Sequence, residues 1–373
     1  MLKFRFFMIA AAFTTVTLCA AVQAVAQKEN VFLHPQKFYK KYFPNLRIKR
    51  ETPDTLYIKS YPNYLSASIL LLSPSVRYDI MPRSNELQGK AAFRSNVADI
   101  VGAVINYRYV SAGFAFLLNS GMQLNSEYAK SKYRTATIKY NSRGYNFQFK
   151  YIRIKGMTDV NVPSDFYLSH GYIKRPDIVT KEFQFENTFN PAWRKYAFSA
   201  PFTFSERQVK SYGGFLFKTG IYYSQMSGDS SLIDHTKLAY YSNDISMVNV
   251  IRSFSIRLAP GAGGNLIIRD KYYASMSVFP SFDIYFYKYL ENTDGRSEGS
   301  QTLAFAFEGN ASVGYQSRRM YAGVRCELEN SSVHMSGIQS RKLNTSIGVE
   351  FGYRFNAPRF VRKVYRDTMP PGM

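Results

Sequence analysis

The chain has 373 residues, with 48 Lys and Arg against 26 Asp and Glu, a formal net charge of +22, and 2 Cys. Aromatic residues make up 16% of it, 30 Tyr and 30 Phe against 1 Trp, while mean hydropathy is only -0.25. These figures exclude a disulfide-stapled secreted module and a bundle of transmembrane helices, each of which needs roughly 20 consecutive apolar residues.

The first segment has the pattern of an export signal. Lys3 and Arg5 precede the uncharged apolar run Phe6 to Ala24, and Ala24-Val25-Ala26 supplies a small-x-small cleavage site. Residues 1–26 are therefore expected to be removed, which takes Cys19 away and leaves Cys326 alone. His34, His170, His235 and His334 are scattered, and no cysteine pair accompanies them, so no metal site is expected. After the leader, residues 27–62 form a polar, proline-punctuated stretch (Pro35, Pro44, Pro53, Pro62) expected to be a periplasmic arm.

From there, strand-like runs follow one another. Val101, Ala103, Ile105, Tyr107 and Tyr109 alternate with Gly102, Asn106 and Arg108; Phe114, Phe116 and Leu118 follow beyond Ala112. Tyr145, Phe147, Phe149 and Tyr151 oppose Asn146, Gln148 and Lys150, after the turn residues Asn141 to Gly144. Phe183 and Phe185 lie between Glu182, Gln184 and Glu186. Phe215, Phe217, Ile221 and Tyr223 alternate with Lys218 and Gly220. Phe254, Ile256 and Leu258 alternate with Ser253, Ser255 and Arg257, and Phe282, Ile284 and Phe286 with Ser281 and Asp283. Leu303, Phe305 and Phe307 face away from Glu308 and Asn310; Met320, Ala322, Val324 and Leu328 face away from Arg325 and Glu327. The cleanest case is Leu343 to Phe355, with Glu350 and Arg354 opposite its apolar face. Period 2 is the side-chain period of a β-strand. One apolar face and one polar face, repeated this often, predict an all-β fold: a transmembrane antiparallel up-and-down β-barrel of about 12 strands over residues 63–355.

Short turns such as Arg269-Asp270-Lys271 alternate with longer polar segments, Met157 to Thr180, Ser224 to Met247 and Leu290 to Ser300. That predicts short turns on one rim and long loops on the other. No helical periodicity stands out. Phe355 is placed as an assembly-recognised strand end, and residues 356–373 are expected to be a periplasmic tail, because Ala357-Pro358 stops the strand.

Several short blocks come in an order typical of one family: Arg175-Pro176-Asp177, Phe198-Ser199, Arg207-Gln208 with Lys210-Ser211, Asp229-Ser230-Ser231-Leu232, Gly314-Tyr315 and Gly352-Tyr353-Arg354-Phe355. From about Tyr57 onward the chain resembles domain-of-unknown-function family 4421, a Bacteroidetes group similar to outer-membrane β-barrel proteins. The resemblance implies fold and outer-membrane location, and brings no activity, catalytic residue or cofactor.

The sharpest constellation is the set on the inward side of the strands: Arg108, Lys218, Arg257, Asp283, Glu308, Arg325, Glu327, Glu350 and Arg354. An isolated buried charge costs several kcal/mol, so mixed signs predict a mutually neutralised charge network filling a narrow lumen. The alternative is a path for small polar or anionic solutes. Asp229, Ser230, Ser231, Asp234 and His235 contain the residue types of a hydrolase triad, a third reading, although local loop turns are the much stronger account of them. Gly213-Gly214 after Arg207 and Lys210 lacks the order of a phosphate loop. No catalytic residue, cofactor or metal is assigned. The expected partners are outer-membrane lipid, lipopolysaccharide and the barrel-assembly machinery, with the basic flanks Lys37–Arg50 and Arg359–Arg366 near anionic head groups. The charges are dispersed and the chain exported, so nucleic acid is not expected; the barrel is expected to be a monomer.

Overall fold

The computed structural model describes residues 52–82, 89–97, 99–117, 125–141, 144–240, 248–291 and 297–368. The leader, the flank Lys37–Arg50 and Pro370-Pro371 lie outside them. Pro53–Asn356 form one compact unit, and the chain from Ala357 onward belongs to another.

The first unit opens with β1 (Ile58–Ser60) and β2 (Tyr64–Pro82), then β3 (Ala91–Arg94), β4 (Ile100–Tyr107), β5 (Val110–Phe116), β6 (Lys132–Asn141) and β7 (Tyr145–Asp159). A short helix α1 (Ser164–His170) leads to β8 (Ile173–Phe189), followed by α2 (Ala200–Thr203), β9 (Glu206–Gln208) and β10 (Tyr212–Ser227). The last five strands are β11 (Val248–Ile268), β12 (Tyr272–Glu291), β13 (Ser297–Gln316), β14 (Met320–Met335) and β15 (Ile338–Asn356). The second unit holds α3 (Arg359–Thr368).

Every ring pairing is antiparallel between sequence neighbours, and β15 returns to pair with β2 from Ile338↔Pro82 to Asn356↔Tyr64. The result is a closed 12-strand ring, as the alternation predicts. Closure leaves no ring strand with an open edge, which is what a sheet crossing lipid requires.

β3 lies outside this simple count. It pairs with β2 at Arg77↔Arg94 to Ile80↔Ala91, and on its other side with the end of β7 at Phe93↔Asp159. At that level the circuit passes from β2 through β3 to β7 and leaves out β4, β5 and β6, so the ring narrows. The segment entering β6 crosses the seam: Ser131 Oγ donates to Gly156 O at 2.8 Å and accepts from Asn96 N at 2.8 Å. Gly156 has φ +88° beside a β-bulge, and a side chain there would strike the Lys130 carbonyl.

Parity sets the two surfaces. Outward side chains are apolar and exposed, among them Phe282, Leu303, Phe305, Ile347, Val349 and Phe351. Inward ones at neighbouring positions, such as Asp283, Glu350 and Arg354, are buried. Near the rim that carries the turns 108–109 and 269–271, outward aromatics cluster: Tyr109 lies 6.3 Å from Tyr140, Tyr145 5.1 Å from Phe189, and Tyr272 5.5 Å from Tyr315. An apolar belt bounded by an aromatic girdle around a polar interior is the surface of an outer-membrane barrel. This protein is one.

Four expectations need correction. Helices are present, α1 and α3 among them: α1 has only 7 residues and is too short to show a period, whereas the apolar and basic residues of α3 do recur at helical spacing within a stretch expected to be an irregular tail. Met157 to Thr180 is not one long loop, since β7 runs to Asp159 and β8 starts at Ile173. The short-turn rim carries one long connection, residues 190–211. The other rim carries one tight turn, Ser336-Gly337, with Gly337 at φ +75°. Among the described residues no helix is long and apolar enough to cross a membrane.

Candidate functional site

The lumen is the place where polar chemistry concentrates. Lys218 on β10 reaches Glu186 on the adjacent β8 at 3.3 Å and Glu308 on β13, three strands away around the ring, at 2.5 Å. Arg257 and Asp283 are register partners on β11 and β12; Nε and Nη2 of the arginine meet both carboxylate oxygens at 2.8–3.1 Å. The same arginine extends to Glu329 on β14 at 3.4 Å and lies over the Tyr222 ring at 4.1 Å. Lys342 on β15 spans the lumen to Glu182 on β8 at 2.7 Å and also meets Glu329 at 3.4 Å. Lys150 on β7 faces Glu327 on β14 at 3.6 Å, and Arg325 faces Glu350 at 3.3 Å.

Neutral donors complete the layer. Ser68 donates to Glu350 at 2.5 Å, Tyr222 to Glu186 at 2.7 Å, and Tyr78 to Glu182. A carboxylate inside an apolar wall must find cations and hydrogen-bond donors, since desolvation otherwise outweighs its ionisation. Each carboxylate named here has at least one of them.

Of the inward set read from the sequence, Lys218, Arg257, Asp283, Glu308, Arg325, Glu327 and Glu350 lie in this layer. Arg108 does not. It occupies the turn after β4, with φ 51°, and its Nε donates to Pro62 O at 3.1 Å, because strand parity stops where the strand stops. Arg354 faces inward but below the layer, where it binds carbonyls. Lys150, Glu182, Glu186, Glu329 and Lys342 belong to the layer and were not singled out. Lys150, Glu182 and Glu186 carry the same signal, inward parity between outward aromatics.

Below the charge layer the barrel is filled by its own chain. Residues 190–211 turn inward from β8, form α2 and β9, and leave as β10; β9 pairs with β1, Ile58↔Gln208 to Ser60↔Glu206. Gln208 ties the segment to itself, accepting from Ala197 N at 2.7 Å and donating to Lys195 O and Lys210 O at 2.6 and 2.9 Å. The wall then holds it. Asn265 on β11 donates to Ala197 O at 3.0 Å, and Gln316 on β13 to Ala200 O and Glu206 O, both at 3.4 Å. Arg354 on β15 donates to Phe204 O through Nε and Nη2 at 2.9 and 2.8 Å. Phe204 stacks on Tyr321 with ring centroids 4.0 Å apart, and Tyr321 in turn covers Gly352, where any side chain would strike the ring. Tyr196 packs with Leu216, Ala259 and Phe279 in a second apolar contact.

The opposite end carries apolar packing. Leu232 and Ile233, from the connection after β10, join Val76, Tyr78, Phe93 and Ile178 in the largest buried cluster. Arg175 holds that connection. It grips Asp177 bidentately at 2.9 and 2.8 Å and donates to Leu232 O at 3.2 Å and Ser230 Oγ at 3.3 Å. Lys237, itself 2% exposed, pairs with Asp159 at 2.5 Å and donates to Lys90 O. The residue types of a hydrolase are otherwise engaged: Ser230 accepts from Arg175, Ser231 Oγ accepts from Ile233 N at 3.3 Å, and the ring of His235 is 86% exposed beside Asp234.

Above the plug lies a cavity of about 180 Å³, lined by Lys139, Lys150, Lys218, Glu186, Glu327 and the plug's Phe198 among others. Among the described residues no group of side chains is arranged to hold a metal ion.

The chain is similar to solved outer-membrane structures. The outer membrane protease OmpT from Escherichia coli shares 11% identity over 80% of this chain and 98% of that one, with a TM-score of 0.34. The COG4313 outer membrane channel from Pseudomonas putida F1 shares 7% over 82% and 100%, with a TM-score of 0.31. The translocator domain of the autotransporter NalP from Neisseria meningitidis shares 10% over 92% and 99%, with a TM-score of 0.26. No curated protein matches the sequence. The family model described as Domain of unknown function (DUF4421) matches residues 52–355, from the segment before β1 almost to the end of β15, and the chain belongs to that family.

Proposed function

We propose that this barrel has a structural or surface-interaction role and is shut to ions at rest. The observation that carries this reading is the inserted segment 190–211, bound to the wall by Asn265, Gln316 and Arg354. Two further features support it. Lumen charges of both signs pair across the ring instead of forming the single-sign lining of a selective pore, and the apolar cluster around Leu232 packs at the other end. The loops of the long-loop rim are then the surface offered to partners.

A second reading, passage of small polar or anionic solutes, is favoured by one observation, the polar cavity beside Lys139 and Lys218. Planar bilayers separate the two. The purified protein is expected to give no reproducible conductance steps, whereas deletion of residues 195–208 opens it. Steps of constant size from the intact protein would overturn the closed reading and support passage.

A further inference from the structure

Near the long-loop rim the outer wall carries a row of cations that its own chain does not balance. Strand register sets them side by side: Arg134 on β6 opposes Arg153 on β7, and Arg153 opposes Lys181 on β8. Lys181 opposes Gln225 on β10, Gln225 opposes Arg252 on β11, and Arg252 opposes Lys288 on β12. Two residues further toward the rim, Lys132 opposes Lys155. The parity is outward, since their neighbours Tyr133, Ile152, Ile154, Glu182, Tyr287 and Tyr289 are buried. Arg134, Arg153, Arg252 and Lys288 are exposed, and Lys181 is half-buried.

Like charges directly opposite each other on one sheet face destabilise it, and here the opposition is repeated from strand to strand. No position in the row holds an acid, and among the described residues no ion pair joins any of these cations to a carboxylate. The counter-charge must come from outside the chain.

The aromatic row beside them shows where that charge lies. Two residues toward the apolar belt, the same strands carry Tyr151, Phe183, Tyr223, Phe254 and Phe286, again register partners. Ring centroids of Tyr151 and Phe183 are 4.8 Å apart, and those of Phe254 and Phe286 6.2 Å. An outward aromatic row sits at the membrane interface, so the cations, about 7 Å further along the strands, stand at head-group level. Long loops mark the extracellular side of an outer-membrane barrel, and the leaflet on that side is built of lipopolysaccharide. Width agrees with such a lipid. Arg134, Arg153 and Lys181 span two strand spacings, about 10 Å, more than one phosphate bridges, and the head that fits carries several anionic groups above several acyl chains.

We propose that Arg134, Arg153 and Lys181, continued by Arg252 and Lys288, bind the phosphates of lipopolysaccharide, whose acyl chains lie against the aromatic row. The bound anions remove the cross-strand repulsion, so the lipid also stabilises the folded ring. The site faces lipid and stands whether the lumen is open or shut.

The test uses the purified full chain in detergent, with bound molecules counted by native mass spectrometry. The probes are bisphosphorylated lipid A, the same lipid with both phosphates removed, and phosphatidylglycerol. Lipid A is expected to bind at least about tenfold more than either of the others, because charge-assisted bonds to its phosphates carry the affinity. Arg134→Gln, Arg153→Gln and Lys181→Gln together are expected to lower lipid A occupancy about tenfold, each cation adding to the attraction at an anionic surface. Arg269→Gln, Lys271→Gln and Arg318→Gln remove the same charge at the opposite rim and are expected to leave binding unchanged. Heat-modifiable gel migration checks that both variants are folded. No lipid A on the parent, equal binding without its phosphates, or equal effects of the two triple variants overturns the proposal. Phosphatidylglycerol binding as well as lipid A overturns the assignment to lipopolysaccharide and leaves a surface for any anionic lipid.

Discussion

Arg354 Nε and Nη2 both donate to the carbonyl oxygen of Phe204, at 2.9 and 2.8 Å, joining the last strand to a segment 150 residues earlier. Nη1 of the same guanidinium donates to Ser317 O at 2.6 Å, in the turn between β13 and β14. One side chain thus fastens the plug, the neighbouring turn and the strand that closes the ring. The guanidinium also lies over the rings of Tyr61 and Tyr321, at 4.4 and 5.1 Å.

Arg354→Ala removes charge-assisted bonds to buried carbonyls, a loss of about 3 kcal/mol when bonds to a charged group are each worth 1.5–3. The barrel still assembles, since its strand pairings are untouched, but the plug loosens. Planar bilayers are expected to show conductance steps absent from the parent; a silent Arg354→Ala protein would contradict the assignment of this residue as the plug's fastening.

Gly352→Val tests the same closure from the packing side. Its side chain would displace the Tyr321 ring, and Tyr321 supports Phe204 by stacking. Overpacking of this sort costs about 1–3 kcal/mol. The expected result is a folded, heat-modifiable barrel in which trypsin cuts detergent-solubilised protein at Arg194, Lys195 or Lys210 at least several-fold faster than in the parent. Unchanged cleavage would show that the stack does not hold the plug.

Lys218→Met leaves Glu186 and Glu308 facing each other without their shared cation. Breaking a buried pair from one side costs about 3–5 kcal/mol, because the remaining charge is uncompensated. The urea midpoint for loss of the folded gel band should fall, and combining the change with Glu308→Gln should recover at least half of the loss. Additive losses in the double variant would mean that the two groups are not coupled.

Cys326 faces outward, between register partners Ala311 and Ile347. In membranes a polar maleimide is expected to leave it unmodified, with full labelling after urea unfolding. Rapid labelling in intact membranes would put this part of β14 outside lipid.

Much of the barrel was legible because the period of a strand is local. Whether Phe305 or Glu308 points inward depends only on alternation along β13, and the same holds for Glu350 on β15. Arg108 shows the limit: its parity is right, but two residues of turn geometry take it out of the strand. The plug shows a different limit. Phe198, Arg207 and Gln208 stand out as residues of the family resemblance, yet nothing periodic marks 190–211 as an insert, because an irregular segment is stabilised by bonds to side chains that lie far away in sequence.

The sequence by itself determined the strand alternation, the apolar exterior, the polar interior and the excess of cations after the last strand, all of which follow from residue type at a local period. Only the tertiary structure decided that Lys342 meets Glu182, that Arg257 faces Asp283 and that Arg354 holds Phe204. Those partners are set by strand register and, for Lys342 with Glu182 and Arg354 with Phe204, by the closure of the ring and the path of the insert, none of which alternation along a single strand encodes.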